Sequence, residues 1–240
     1  MPIRIFQKGF NYAQDGSGNR LVYHLQGCNL SCPWCSNPEG MAFSGGTAVS
    51  AEELEQEAVR CRAMFFDGGG VTFTGGECTC QFDGLREVLT RLKRQGISTA
   101  IETNGTAPRL AELFPLIDEL IMDCKHYDDE THRRFTGCGN AQIIENLRAA
   151  AAQHPCVLVR IPLIGGFNTS AADMERFAAL FLSCDTAHVR FELLPYHEYG
   201  KDKWEKCHKP YTVKNAFVSE EERRQYEDIL RGRGLQVVRT

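Results

Sequence analysis

Apolar residues along this chain fall into two alternating patterns. Short continuous runs are separated by longer stretches in which apolar positions recur every third or fourth residue. The short runs predict strands at 21–27 (LVYHLQG), 70–74 (GVTFT), 98–102 (STAIE), 118–123 (DELIMD), 156–162 (CVLVRIP), 187–194 (AHVRFELL) and 235–239 (LQVVR). The spaced stretches predict helices at 50–65, 83–94, 141–153, 170–183 and 219–231. Ser50 with Glu53, and Ser219 with Glu222, have the spacing of a capping box, in which hydroxyl and carboxylate satisfy orphan amides at a helix start. Gly96 and His154-Pro155 are stop signals for the second and third helices.

Strand and helix alternating for about six units demands a parallel sheet, because parallel neighbours need a crossover and the helix supplies it. The expected fold is α/β: a partial (β/α)6 TIM-type barrel or a related open sheet, with parallel strands and outer helices. Functional residues are then expected just beyond the carboxyl ends of strands. With 240 residues, 42% hydrophobic and 24% charged, the chain can bury one large core, and no composition shift marks a linker. A single domain over 1–240 is expected.

Charge excludes some partners. A net charge of -4 with dispersed lysines and arginines gives no footprint for nucleic acid. MPIRIFQKGF has no apolar signal core, and no segment has the length to span a bilayer, so a cytoplasmic protein without a membrane partner is expected. Eleven cysteines, an odd number, do not make a disulfide framework in a reducing compartment. Metal binding or buried thiols must account for them.

Three of the eleven lie close together in GCNLSCPWCSN, residues 27–37: Cys28, Cys32 and Cys35, directly after the first strongly apolar strand. Scattered at random, eleven cysteines would give this C-x3-C-x2-C pattern with a chance of (11/240)³ × 240, roughly 2%. A structural zinc closes with four protein ligands, and no neighbouring CxxC or HxxxH supplies a fourth. Three thiolates on a cubane cluster would leave one iron open to an outside ligand. A structural zinc or buried thiols is the alternative reading of the spacing.

Polar residues end the later strands. TFTGGE puts Gly75, Gly76 and Glu77 after the second strand, where two glycines permit close backbone approach. IETNG and IMDCK place Glu102, Thr103, Asp123 and Lys125 at the next two strand ends, and two carboxylates there suit a hard cation. In LVRIPL, Arg160 interrupts an apolar run and must face an anion or a carboxylate such as Glu192. The sixth strand runs into ELLPYHEYGKDKW, with Leu194 and His197 beyond its end. Taken singly, each of these is equally an ordinary turn, a loop charge, a salt bridge or an exposed histidine.

Together the motifs resemble one family. CNLSCPWC is similar to the cluster loop of the radical S-adenosylmethionine superfamily, with Trp34 in its aromatic position. TGGE, ETNG, DCK and above all LLPYHEYGKDKW resemble the glycyl-radical-enzyme activating enzymes within it, the pyruvate formate-lyase activating type. Two departures are visible: DGSGNR at 15–20 stands where the family reads DGPGIR, and residues 36–60 hold no cysteine, so the eight-cysteine ferredoxin-like insertion is absent.

The resemblance implies a [4Fe–4S] cluster on Cys28, Cys32 and Cys35, with S-adenosylmethionine chelating its open iron. It implies cofactor contacts from Trp34, Gly75, Gly76, Glu77, Lys125, Arg160, Leu194 and His197, and a monovalent cation near Glu102, Thr103 and Asp123. It further implies reductive cleavage of the cofactor to a 5′-deoxyadenosyl radical that takes hydrogen from a glycine of a partner glycyl radical enzyme. A flavodoxin or ferredoxin would supply the electron, no side chain would act as acid or base, and a monomer is expected. A radical enzyme acting on a small molecule or peptide, and a zinc-stabilised binding module, are the competing readings. Cys78 and Cys80, just after the GGE motif, have no assigned role.

Overall fold

The computed structural model describes residues 1–240, which divide into two compact units: 1–29 with 39–121, and 30–38 with 122–240. In chain order the strands are β1 Ile3–Tyr12, β2 Asn19–Leu25, β3 Thr47–Val49, β4 Gly70–Gly75, β5 Ser98–Thr103, β6 Glu119–Asp123, β7 Val157–Leu163, β8 Val189–Pro195 and β9 Gln236–Val237. The helices are α1 Ala51–Arg60, α2 Phe82–Arg94, α3 Asp129–Thr136, α4 Ala141–Gln153, α5 Ala171–Phe181, α6 Lys201–Lys206 and α7 Glu220–Gly232.

In the first unit the strand order is β3-β1-β2-β4-β5. β2, β4 and β5 run parallel, Leu21 opposite Val71 and Val71 opposite Thr99. β1 is antiparallel to both of its neighbours, β2 and β3, a departure from the all-parallel expectation. β1 escapes the sequence pattern because only Ile3 and Ile5 of its ten residues are buried. Leu54 and Ala58 of α1, and Leu85, Val88, Leu89 and Leu92 of α2, are buried against this sheet's core of Val71, Phe73 and Ile101. Burial of such side chains stabilises by about 1.5–3 kcal/mol each.

Three helix starts are fixed by sequence-local chemistry. Ser50 and Glu53 cap α1, Ser219 and Glu222 cap α7, and Ser170 with Asp173 forms a third capping box at α5. α1 stops at Arg60 rather than continuing to 65. A 3-10 turn at Arg62–Met64 follows, and Asp67 at φ 56 with Gly68 at φ 82 turns the chain back toward β4.

The DGSGNR segment lies at the amino ends of these strands, away from Gly75 and Glu77. Arg20 is fully buried there, its Nε donating to Thr72 Oγ1 at 2.7 Å and its Nη2 to Val71 O at 2.9 Å, with Glu119 as its ion-pair partner at 3.4 Å. Gly18 is required at φ +69, where a Cβ would lie 2.3 Å from the Phe66 carbonyl oxygen.

In the second unit β7, β8 and β9 are parallel, with Arg160 opposite Glu192 and Phe191 opposite Val237. Val159, Ile161, Phe177, Phe181 and Phe191 fill its core, and Leu230 of α7 is fully buried. A second apolar cluster joins Ile164, Phe167, Tyr196 and Ala216, with Trp34, Phe135, Tyr211 and Val213 packed against it. Two helices here, α3 and α6, lie where no helix is expected from the hydrophobic pattern.

Candidate functional site

In the first unit the chain leaving β2 is held by backbone bonds at every step. Gly27 N donates to Gly40 O at 2.8 Å and Cys28 N to Met41 O at 3.1 Å. The GGE turn after β4 docks on the same segment: Gly76 N donates to Leu25 O at 2.9 Å and Glu77 N to Gly27 O at 2.7 Å. Both glycines are dictated by this approach. Gly75 sits at φ +115, and a Cβ on Gly76 would come within 2.3 Å of Gly27 O and 2.5 Å of Gly40 O.

Glu77 is buried and gathers four donors. Thr79 N, Thr79 Oγ1 and Thr103 Oγ1 reach its Oε1 at 3.0, 2.5 and 2.7 Å, and Asn104 N reaches Oε2 at 2.6 Å. Burial nonetheless raises its pKa above the ordinary carboxylate value, the hydrogen bonds opposing but not cancelling it. The carboxylate thus ties the end of β5 to the GGE turn. Glu102 accepts from Thr74 Oγ1 at 2.8 Å. Cys78 is a buried thiol that donates to Glu102 O at 3.4 Å, and burial pushes it well above its usual range; exposed Cys80 is pushed up to about 11.

In the second unit the cysteine loop continues as residues 30–38. Ser31 N donates to Thr136 O at the end of α3 at 2.8 Å, and Cys35 N to Cys32 O at 3.2 Å. At its far end the Trp204 indole Nε1 donates to Cys35 O at 2.8 Å, and Lys203 Nζ donates to Asn37 Oδ1 at 2.9 Å. Gly200 completes this clamp, because a Cβ there would meet Cys35 O at 2.5 Å. Trp34 packs on Phe167 with ring centroids 4.7 Å apart. Gly200 and Trp204 lie in the GKDKW segment that the sequence singles out without giving them a role, and Asn37 had no signal in the sequence.

Beyond β6, Lys125 pairs with Asp123. The pair lies beside Cys32: burial drives that thiol up to about 12, with Lys125 pulling down and Cys35 and Asp123 pushing up. On β7 and β8, Arg160 Nε donates to Glu192 Oε2 at 2.9 Å, both groups buried, and Thr240 Oγ1 donates to Glu192 Oε1 at 2.8 Å. The salt bridge considered from sequence is therefore present. Leu194 and His197 are half-buried at the end of β8. His197 Nδ1 accepts from Tyr199 N at 3.3 Å, and the two rings stack at 4.2 Å. Burial lowers the His197 pKa and so favours the neutral ring, and because Nδ1 accepts from Tyr199 N the ring proton sits on Nε2.

The donor set fits an iron–sulfur cluster. Cys28, Cys32 and Cys35 form no disulfide, and no three His, Cys, Asp or Glu side chains converge closely enough to chelate one ion. Cysteine thiolates are the ligands of such a cluster, and a coordinated thiol gives up its proton whatever its resting pKa.

A family model described as the radical SAM superfamily matches residues 22–178. The chain belongs to the radical SAM superfamily. The pyruvate formate-lyase-activating enzyme of Clostridium pasteurianum is 34% identical over 212 residues, covering 88% of this chain and 89% of that protein. A solved domain of pyruvate-formate lyase-activating enzyme from Bacteroides vulgatus is 30% identical with a TM-score of 0.59, over 71% of this chain and 98% of that one. A radical SAM methyltransferase from Sphaerobacter thermophilus superposes with TM-score 0.68 at 18% identity, over 99% of this chain and 76% of that one, and shares the fold alone. The architecture is accordingly the open, mostly parallel α/β partial barrel of this superfamily. Membership, rather than cysteine spacing, removes the zinc-stabilised module. Its cofactors are a [4Fe–4S] cluster and S-adenosylmethionine.

Proposed function

We infer that this radical SAM enzyme is a glycyl-radical-enzyme activating enzyme. The observation that carries the reading is the role of GKDKW: the segment most particular to activating enzymes is the one whose Gly200 and Trp204 clamp the Cys35 carbonyl. When bound, the cluster supplies one-electron reductive cleavage of S-adenosylmethionine, generating the radical that takes hydrogen from the partner's glycine.

The chain's own residues bind and orient. Cys28, Cys32 and Cys35 would hold the cluster, and the Gly75-Gly76-Glu77 turn, close-packed on Gly27, would offer backbone groups to the cofactor's amino end. Lys125 and Arg160 would answer its carboxylate, the latter from a position fixed by Glu192. Trp34 and Leu194 would supply apolar surface, and His197 Nε2 a hydrogen bond to a ribose hydroxyl. Glu102, Thr103 and Asp123 are the oxygen groups available to a monovalent cation. Both compact units are read as one radical SAM domain, since the family match crosses the division at residues 121 and 122.

The substrate is a glycyl radical enzyme, the electron donor a flavodoxin or ferredoxin, and the working form a monomer. No helix is long and apolar enough to cross a membrane. Anaerobic iron and sulfide analysis, with EPR of the reduced protein before and after S-adenosylmethionine, tests the reading. About four irons per chain and a signal altered by the cofactor are expected. A glycyl radical raised on added pyruvate formate-lyase would identify the partner class. Stoichiometric zinc, or a cluster signal indifferent to the cofactor, would overturn it.

A further inference from the structure

α3 is a short, strongly polar helix whose buried face consists of His132 and Thr136. His132 is fully buried, an unusual place for a titratable ring, and its bonds all converge on the turn that follows. Its Nδ1 donates to Cys138 O at 2.6 Å and lies 3.1 Å from Thr136 Oγ1; Thr136 Oγ1 donates to His132 O at 2.8 Å. Burial lowers the His132 pKa, with Lys125 and His126 adding to the effect, so the ring is neutral. Its Nε2 is buried with no partner. Leaving a buried polar atom unsatisfied costs about 1–3 kcal/mol, which a leucine of similar size would avoid. The histidine is therefore there for what Nδ1 does.

What Nδ1 fixes is the Thr136-Gly137-Cys138 turn, and that turn holds the cysteine loop. Thr136 O accepts from Ser31 N at 2.8 Å and from Ser31 Oγ at 3.2 Å. Gly137, left-handed at φ +84, is pressed against the same serine: a Cβ there would lie 2.9 Å from Ser31 Oγ. The next residue is buried Cys32. We propose that His132 is a positioning residue that acts through Thr136 and Ser31 to fix the Cys32 thiol for the cluster. The inference rests on the assignment of Cys32 and Cys35 as cluster ligands.

The test compares wild type, His132→Phe, His132→Asn and Thr136→Val, each reconstituted anaerobically, for the rate of iron release to a chelator and for the EPR of the reduced cluster. Loss of a hydrogen bond that orients a ligand costs roughly 10–100-fold in metal affinity. Release from His132→Phe is expected to be at least about 10-fold faster than from wild type. His132→Asn, whose amide nitrogen takes the place of Nδ1, should return most of the protection. Thr136→Val, which keeps the volume and removes the hydroxyl, should fall between and serves if His132→Phe does not fold. Equal release rates from a folded His132→Phe or Thr136→Val protein, with an unchanged signal and no rescue by asparagine, would overturn the proposal. A wild-type protein that takes up no cluster would instead overturn the functional reading on which it rests.

Discussion

The clamp on Cys35 is the most direct place to perturb the site without touching a thiol. Trp204 is 9% exposed, and its indole Nε1 reaches the Cys35 carbonyl at 2.8 Å. Trp204→Phe removes that donor, leaves the carbonyl without it, and opens a void at the far end of the indole, which packs edge-on to Tyr211 with 5.9 Å between centroids. The lost bond contributes about 1–3 kcal/mol and the void about 1 kcal/mol, so a total of about 2–4 kcal/mol is expected. In a chain of this size each kcal/mol moves the midpoint by about 2–4 °C, which predicts a fall of roughly 4–16 °C in the thermal transition of the cluster-free protein. Iron release to a chelator from the reconstituted protein should quicken about 10-fold, because the carbonyl belongs to a ligand residue. A control is Lys203→Ala, which removes the contact to Asn37 but leaves the bond to the Cys35 carbonyl in place and should change both readouts far less. A Trp204→Phe protein that melts with wild type and releases iron at the wild-type rate would refute the clamp.

Other consequences follow from the same geometry. Gly76→Ala drives a Cβ into Gly27 O and Gly40 O at 2.3 and 2.5 Å, so backbone must move; a loss of about 1–3 kcal/mol in urea unfolding is expected, and a wild-type midpoint would show the turn to be slack. Burial raises Glu77, so its contribution to stability is fully present below the ordinary carboxylate value of 4.5 and is lost as pH rises through the raised value. The advantage of wild type over Glu77→Gln should therefore shrink from pH 4.5 upward, and parallel stability curves would contradict this. Glu192→Leu removes the carboxylate that balances the buried Arg160 guanidinium and should cost about 3–5 kcal/mol, most of it recovered in Glu192→Leu with Arg160→Met; urea midpoints that simply add would rule out coupling. Removing the cluster with chelator should leave far-UV circular dichroism almost unchanged, since the loop's anchors are protein hydrogen bonds; loss of the helical signal would mean the metal folds the chain.

Much of the fold could be read from hydrophobic period. β4 to β8 lie within two residues of the predicted strands, and α4 matches its prediction end to end, because these segments bury what the pattern says they bury. β1 and α3 could not be read that way. β1 exposes most of its length, and α3 in DDETHRRFT has no apolar stripe, its only buried residues being His132 and Thr136. Both are held by pairing and hydrogen bonds that depend on distant residues. The site shows the same division. The cysteines, the GGE turn and Lys125 were legible from type and spacing. The bond from Trp204 to Cys35 spans 169 positions and that from Ser31 to Thr136 spans 105, so no local pattern could announce them. Arg160 was legible as a charge in need of a partner, and Glu192 was legible as that partner by strand register.

A loop that carries cluster ligands faces two demands that pull apart. It must present its thiols toward a group it does not itself enclose, which excludes regular secondary structure, and it must hold them still, which secondary structure ordinarily does. Here the second demand is met by backbone bonds to outside elements at fixed points: Thr136 O takes Ser31, one residue before Cys32, and Trp204 takes the carbonyl of Cys35 itself. Cys28 has its own backbone bond, to Met41. These anchors hold main-chain atoms of the loop, and Cys35 Sγ in addition accepts from Asn37 N at 3.3 Å. That arrangement explains why the segments most informative about function, GKDKW and the turn after α3, contain residues whose bonds go to the cysteine loop. Their chemistry is positional, and it appears in sequence only as spacing between a glycine and a tryptophan, or between a histidine and a threonine four residues on.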